Sequence, residues 1–162
     1  MKIKRSSFTE EKQIVRSELT CKSLELNEEG LQDPVRVEAK IARTGSCLTV
    51  ECSIKIKTHF NCDRCLDEYD SEISTIAEFV ITSDHHMVAD TDDMVFVSAH
   101  EDEVDISPNI REAIILALPY KRLCKEGCKG LCASCGKNLN EGSCDCKTEI
   151  TDPIWERLKE IK

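Results

Sequence analysis

The alternation of apolar and polar positions changes character along this chain. Val35, Val37, Ala39 and Ile41 alternate with Arg36, Glu38 and Lys40, a period of two that predicts a half-buried strand. Thr44-Gly45-Ser46 marks a turn. Beyond it Leu48, Val50, Cys52, Ile54, Ile56 and Phe60 alternate with Thr49, Glu51, Ser53, Lys55, Lys57 and His59. Two such strands across a short turn predict an antiparallel hairpin with one wet face. A third alternating strand runs through Ile73, Thr75, Ala77, Phe79 and Ile81, and Met94 to Val97 predicts a short buried strand. Near the start, Ile3, Ile14, Val15, Leu19, Leu24 and Leu26 suggest one or two short strands, with Asn27-Glu28-Glu29-Gly30 as a turn.

The period then becomes helical. Ile110, Ala113, Ile114, Ala117 and Leu118 fall at i, i+3, i+4, i+7 and i+8, so one face is expected to pack on the sheet. Ser107 reads as the N-cap, Pro108 as the first helical residue and Pro119 as the stop. Asp152-Pro153 predicts a terminal helix by the same device, with Ile154, Trp155, Leu158 and Ile161 on its apolar side. The polar stretch 82–93, with His85 and His86, predicts a surface loop. The expected fold is α+β: an antiparallel sheet, open or closed into a barrel, one packed helix, a Cys-rich loop and a C-terminal helix. The expected division is a β domain over 1–103, with helix, cysteine segment and terminal helix over 104–162 packed on the same core.

Between the two predicted helices both periods vanish. Cys124 to Cys146 reads CKEGCKGLCASCGKNLNEGSCDC, with Leu131 and Leu139 as its only large apolar residues. Such a stretch cannot bury enough hydrocarbon to offset its ordering entropy. Its thiols leave two candidates, disulfides or a metal. The N-terminus carries positive charge without a following apolar run, which does not match a secretory signal. A reducing cytoplasm is therefore expected, where disulfides rarely persist, and eleven cysteines is an odd count for a disulfide framework.

Metal is the reading that follows. Cys132-Ala-Ser-Cys135-Gly136 is a knuckle whose two thiolates can meet one ion, with the glycine permitting the turn behind them. Cys144-Asp145-Cys146 is a second close pair. Four thiolates favour Zn²⁺ in a closed, redox-silent site, so the Cys-rich loop is expected to bind zinc. The primary ligand set is Cys132, Cys135, Cys144 and Cys146. Cys62, Cys65, Cys124 and Cys128 supply a second set if the loop between strands folds onto the tail; alternatively one zinc takes Cys128 in place of Cys144. Cys21, Cys47 and Cys52 read as packing residues.

Composition bounds the partners. The formal net charge of −9 argues against broad nonspecific nucleic-acid binding. From Pro119 to Cys146, however, Lys121, Arg122, Lys125, Lys129 and Lys137 outnumber Glu126, Glu141 and Asp145. Those lysines either balance thiolate charge or meet RNA phosphates, with Lys55 and Lys57 able to extend such a patch. The longest apolar run, Ala113 to Leu118, is far short of a membrane span. A thiol-redox role for Cys62 and Cys65 is the alternative function; Asp63, Asp67, Glu68 and Asp70 oppose it by raising thiol pKa values. Cys128-x3-Cys132-x2-Cys135 also matches an iron–sulfur spacing, but little chain follows it. No hydrolase pattern or phosphate loop stands out.

The residues together resemble the bacterial YceD family, the large ribosomal RNA subunit accumulation proteins. The resemblance rests on Cys62-Asp63-Arg64-Cys65-Leu66, Asp105 to Pro119, Leu123-Cys124, Cys128-Lys129-Gly130-Leu131-Cys132, Cys135-Gly136-Lys137-Asn138-Leu139-Asn140, Cys144, Cys146 and Asp152-Pro153. It implies a cytoplasmic, non-enzymatic role in the accumulation or maturation of large-subunit ribosomal RNA. The partner it implies is the rRNA precursor or a ribosomal protein, without a small-molecule substrate.

Overall fold

The computed structural model describes residues 1–84 and 93–146. The described chain separates into two compact units. One comprises Met1–Phe60 and Tyr69–Tyr120; the other comprises Asn61–Glu68 and the chain from Lys121 onward.

The first unit is built on the predicted hairpin. Strand β3 (Leu31–Thr44) and strand β4 (Cys47–Asn61) pair antiparallel, joined by Gly45-Ser46, with Thr44 opposite Cys47. The register sets Ile41 opposite Val50, Ala39 opposite Cys52 and Val37 opposite Ile54. All six are buried on one face, because a period of two sends alternate side chains to the same side. Strand β2 (Gln13–Leu19) pairs antiparallel with β3, and β5 (Glu68–Thr82) lies beside β4. Strand β6 (Met94–Phe96) completes the order β2-β3-β4-β5-β6, while β1 (Lys2–Lys4) and β7 (Glu103–Asp105) form a separate antiparallel pair.

Two expectations are corrected here. The sheet is mixed, because β6 runs parallel to β5, with Val80 opposite Met94. The five-stranded sheet is also open, ending at β2 and β6, and does not close into a barrel. At the β6 edge Phe96 is 40% exposed, so the strand is less buried than its sequence suggested.

Helix α1 (Ser107–Ala117) places Ile110 and Ile114 in the same buried cluster as Val35, Ile41, Ile54 and Ile81. Its start also differs from expectation. Ile106 is the N-cap, and its carbonyl accepts the first helical bond from Ile110. The Ser107 N–H donates to the Asp105 carboxylate at 2.9 Å. The Asp105 carboxylate thus satisfies one of the free N–H groups of the first turn, where negative charge is favoured. The Ser107 hydroxyl instead accepts from the Met1 amino group. Cys47 and Cys52 are buried and Cys21 packs half-buried against the core, away from the other cysteines. Burial, with Asp33 alongside, pushes the Cys21 thiol up to about 11. The predicted terminal helix and the His85-His86 loop lie outside the described residues. Among the described residues no helix is long and apolar enough to cross a membrane.

Candidate metal centres

The second unit holds eight cysteines, and the structure sorts them into two fours. Cys62, Cys65, Cys124 and Cys128 form one group; Cys132, Cys135, Cys144 and Cys146 form the other. Within each group all four sulfurs lie within 4.8 Å of one another. That spacing lets each group hold one metal ion. Zinc–sulfur bonds of about 2.3 Å place tetrahedral sulfurs roughly 3.8 Å apart. The Cys62 and Cys128 sulfurs are 3.7 Å apart, and those of Cys65 and Cys124 are 3.6 Å apart. Both separations are far longer than a disulfide bond of about 2.05 Å, and none of the cysteines is bridged. Cys128 stands with the first group and Cys144 with the second. The iron–sulfur spacing of Cys128, Cys132 and Cys135 is likewise divided between the two groups.

Local backbone explains how each pair is presented. In the first knuckle the Cys62 N–H donates to the Asp67 carbonyl and the Leu66 N–H donates to the Cys62 carbonyl, both at 2.9 Å. The second knuckle repeats this. The Cys132 N–H donates to the Lys137 carbonyl at 2.8 Å, and the Gly136 N–H to the Cys132 carbonyl at 2.9 Å. The fifth position of each knuckle has positive φ, 62° at Leu66 and 71° at Gly136. Gly136 meets that demand at little cost, as its sequence position suggested; Leu66 meets it with a side chain that the left-handed region disfavours.

The N–H groups inside each turn point at sulfur. Burial raises the Cys62 thiol, but the backbone N–H groups of Cys124, Cys65 and Arg64 outweigh it and bring it down to about 6. The Cys132 thiol is brought down to about 6 by the N–H groups of Cys135 and Ser134 and by the Cys144 thiol. Its partner Cys146 is pushed up to about 12, chiefly by Cys135 and then by burial. The acidic neighbours expected to raise these thiols do not set the direction at Cys62. Asp63 is occupied elsewhere: its carboxylate accepts the Arg122 N–H at 2.7 Å. Cys65 is shifted upward; Asp67's backbone N–H opposes this, while burial and Asp67's carboxylate promote it. Each group thus mixes thiols that ionise readily with thiols that resist, the condition under which a divalent cation displaces the remaining protons. The thiol-redox alternative needs an isolated pair near a helix N-terminus. Here Cys62 and Cys65 sit between β4 and β5 with two further sulfurs beside them.

The two fours differ in shelter. Cys62, Cys65 and Cys128 are buried and Cys124 half-buried, whereas Cys135 is exposed and only Cys132 of its group is buried. Arg64 ties the first knuckle to the tail by donating to the Cys128 carbonyl at 2.8 Å, and its own carbonyl accepts the Leu131 N–H at 3.0 Å. Gly130, at φ 74°, lies where an added Cβ would stand 3.0 Å from the Arg64 carbonyl oxygen. Asn138 and Asn140, for which the sequence suggests no role, also reach this quartet, through hydrogen bonds to the Asp67 carboxylate and the Cys128 sulfur.

Of the basic candidates, Lys121, Lys125 and Lys129 are exposed. Lys137 is exposed too, and its ammonium donates to the Ser143 carbonyl at 2.8 Å. Arg122 is half-buried and joined to Asp63 through its backbone.

Fold and site together define a sheet-and-helix protein carrying a separate unit with two tetracysteine clusters suited to a metal ion. The chain belongs to the YceD family, described as the large ribosomal RNA subunit accumulation protein YceD, whose model matches residues 50–162. A curated relative, the large ribosomal RNA subunit accumulation protein YCED homolog 1, chloroplastic, of Arabidopsis thaliana, is 24% identical over 156 residues. That match covers 80% of this chain and 49% of the relative. The Zea mays protein of the same name is 46% identical over 59 residues, 36% of this chain and 20% of its own. An uncharacterised Mycobacterium leprae protein is 22% identical over 129 residues, 79% of this chain and 59% of its own. The chain thus spans about half the length of the Arabidopsis relative and less of the maize one. No solved structure matches it.

Proposed function

We propose that this chain is a non-catalytic factor for the accumulation of large-subunit ribosomal RNA, its cysteine unit folded by zinc. The observation that carries the metal is the sorting of eight thiols into two quartets, each with its sulfurs within 4.8 Å of one another. Zinc suits them because all-cysteine, closed sites favour an ion that is tetrahedral and redox-silent. The family name and the names of the plant relatives carry the ribosomal role. A reducing cytoplasm would keep the thiols available for the metal.

In this reading the metal gives the unit its shape, and Lys121, Arg122, Lys125, Lys129 and Lys137 meet the phosphates of the rRNA precursor. The metal would be held by Cys132, Cys135, Cys144 and Cys146, with a second ion on Cys62, Cys65, Cys124 and Cys128. The test is affinity for a large-subunit rRNA transcript across a salt series. Affinity should fall as salt rises, and replacing Lys125 and Lys129 together by Gln should reduce the slope by about one unit per lysine. Affinity that does not change with salt, or no binding, removes RNA as the direct partner and leaves a ribosomal protein.

A further inference from the structure

The loop that closes the exposed quartet also reaches the buried one. Between Cys135 and Cys144 the chain turns through Asn138-Leu139-Asn140. The Asn140 side chain is fully engaged. Its Nδ2 donates to the Cys128 sulfur at 3.3 Å and to the Asn138 Oδ1 at 2.9 Å, while its Oδ1 accepts the Lys129 N–H at 3.0 Å. That backbone donor fixes which end of the amide faces sulfur, since a flipped amide would set two N–H groups against each other. Asn138 continues the line: its Oδ1 also accepts the Asn140 N–H at 3.0 Å, and its Nδ2 donates to the Asp67 carboxylate at 2.8 Å. Asp67 lies two residues beyond Cys65. A hydrogen-bonded chain therefore runs from the first knuckle, through both asparagines, to the sulfur of Cys128.

Hydrogen bonds to a ligating thiolate disperse its charge and hold its orientation. Loss of such partners typically weakens metal affinity about 10- to 100-fold. The asparagines sit on a loop whose ends are cysteines of the exposed quartet, so whatever fixes that quartet also fixes them.

We propose that Asn140 is a positioning residue for the buried metal centre, held in place by metal at the exposed one. The two centres therefore release metal in order, exposed first, and loss of the exposed ion loosens the buried ion. This rests on the metal reading above.

The test follows zinc release from the full-length zinc-loaded protein into excess chromophoric chelator. The wild type should release in two phases. Cys135→Ser should load one zinc and release it about tenfold faster than the wild-type slow phase. Asn140→Ala should still load two, with the fast phase unchanged and the slow phase accelerated by a similar factor. Asn138→Ala should act in the same direction and more weakly. In the cobalt-substituted protein, Asn140→Ala should shift the sulfur-to-cobalt charge-transfer band of the slowly released ion, a change that general loosening of the loop would not produce. A protein that takes up no metal overturns this proposal and the metal reading together. A slowly held ion that leaves both Asn140→Ala and Cys135→Ser at the wild-type slow rate overturns the coupling alone. If Asn140→Ala does not fold, Cys135→Ser and Asn138→Ala decide the matter by the same rates.

Discussion

In the sheet unit the side chains removed from water are mainly hydrocarbon: Val35, Val37, Ile41, Leu48, Ile54, Ile56, Ile81, Ile110 and Ile114 among them. In the described cysteine unit every buried side chain belongs to a cysteine, namely Cys62, Cys65, Cys128 and Cys132, while Leu123, Leu131 and Leu139 are only half-buried. Ordering a residue costs about 1–2 kcal/mol in either unit. The first offsets that cost with aliphatic burial, about 1.5–3 kcal/mol for each large side chain. Among its described residues the second has no such resource, and its sulfurs lie where one ion could join four of them. The contrast teaches that one chain can order itself by two unrelated physical means, and that each means should fail separately.

The largest expected effect comes from removing metal. Structural zinc contributes apparent folding free energy of about 10–16 kcal/mol in small zinc modules. Strong chelation should therefore abolish amide-exchange protection in 61–68 and 121–146 and leave Val37, Ile41, Val50 and Ile54 protected. Protection lost in both units at once would break the comparison. Next in size is the reciprocal experiment. Ile54→Ala, at a site 1% exposed, should cost about 2–5 kcal/mol in the unfolding of the sheet unit and leave zinc content unchanged. Calorimetry with elemental analysis reads both quantities.

Much of the sheet unit was legible in the sequence because its determinants are local. Alternation through Val35–Ile41 and Leu48–Phe60 fixes both strands and the face that each buries, and Gly45-Ser46 is a short turn between them. What was not legible depends on distant chain. Nothing near Met94 states that it will lie parallel to Val80, or that the sheet will end there. Ser107 looked like a cap because the pattern Ser-Pro is local, whereas its hydroxyl is engaged by the distant Met1 amino group and the N-cap lies one residue earlier, at Ile106. The quartets divide in the same way. Cys132 and Cys135 were readable as a knuckle, and Cys144 and Cys146 as its partners. Cys128 could stand in the second set with Cys62, Cys65 and Cys124 or in place of Cys144, and the sequence left both open because the joining of the 61–68 loop to the tail through Arg64 and Asp63 is a property of the fold. Asn138 and Asn140 carry no signal of their own, since a hydrogen bond to sulfur is a property of the folded loop.

The smallest effect distinguishes the two knuckles. Leu66 is 63% exposed and holds φ at 62°, so its side chain contributes little burial and carries the left-handed penalty. Leu66→Gly should stabilise the cysteine unit by about 0.5–1 kcal/mol, and Gly136→Ala should destabilise it by about 1 kcal/mol. Chelator concentration at half-release of zinc measures both. Shifts of the same sign would show that the two turns are not equivalent.

The most direct measurement is the metal content of the chain purified without chelator, taken by elemental analysis beside amide exchange of 121–146. This account predicts two zinc ions per chain and a protected cysteine unit. A metal-free chain whose 121–146 amides are equally protected would contradict it.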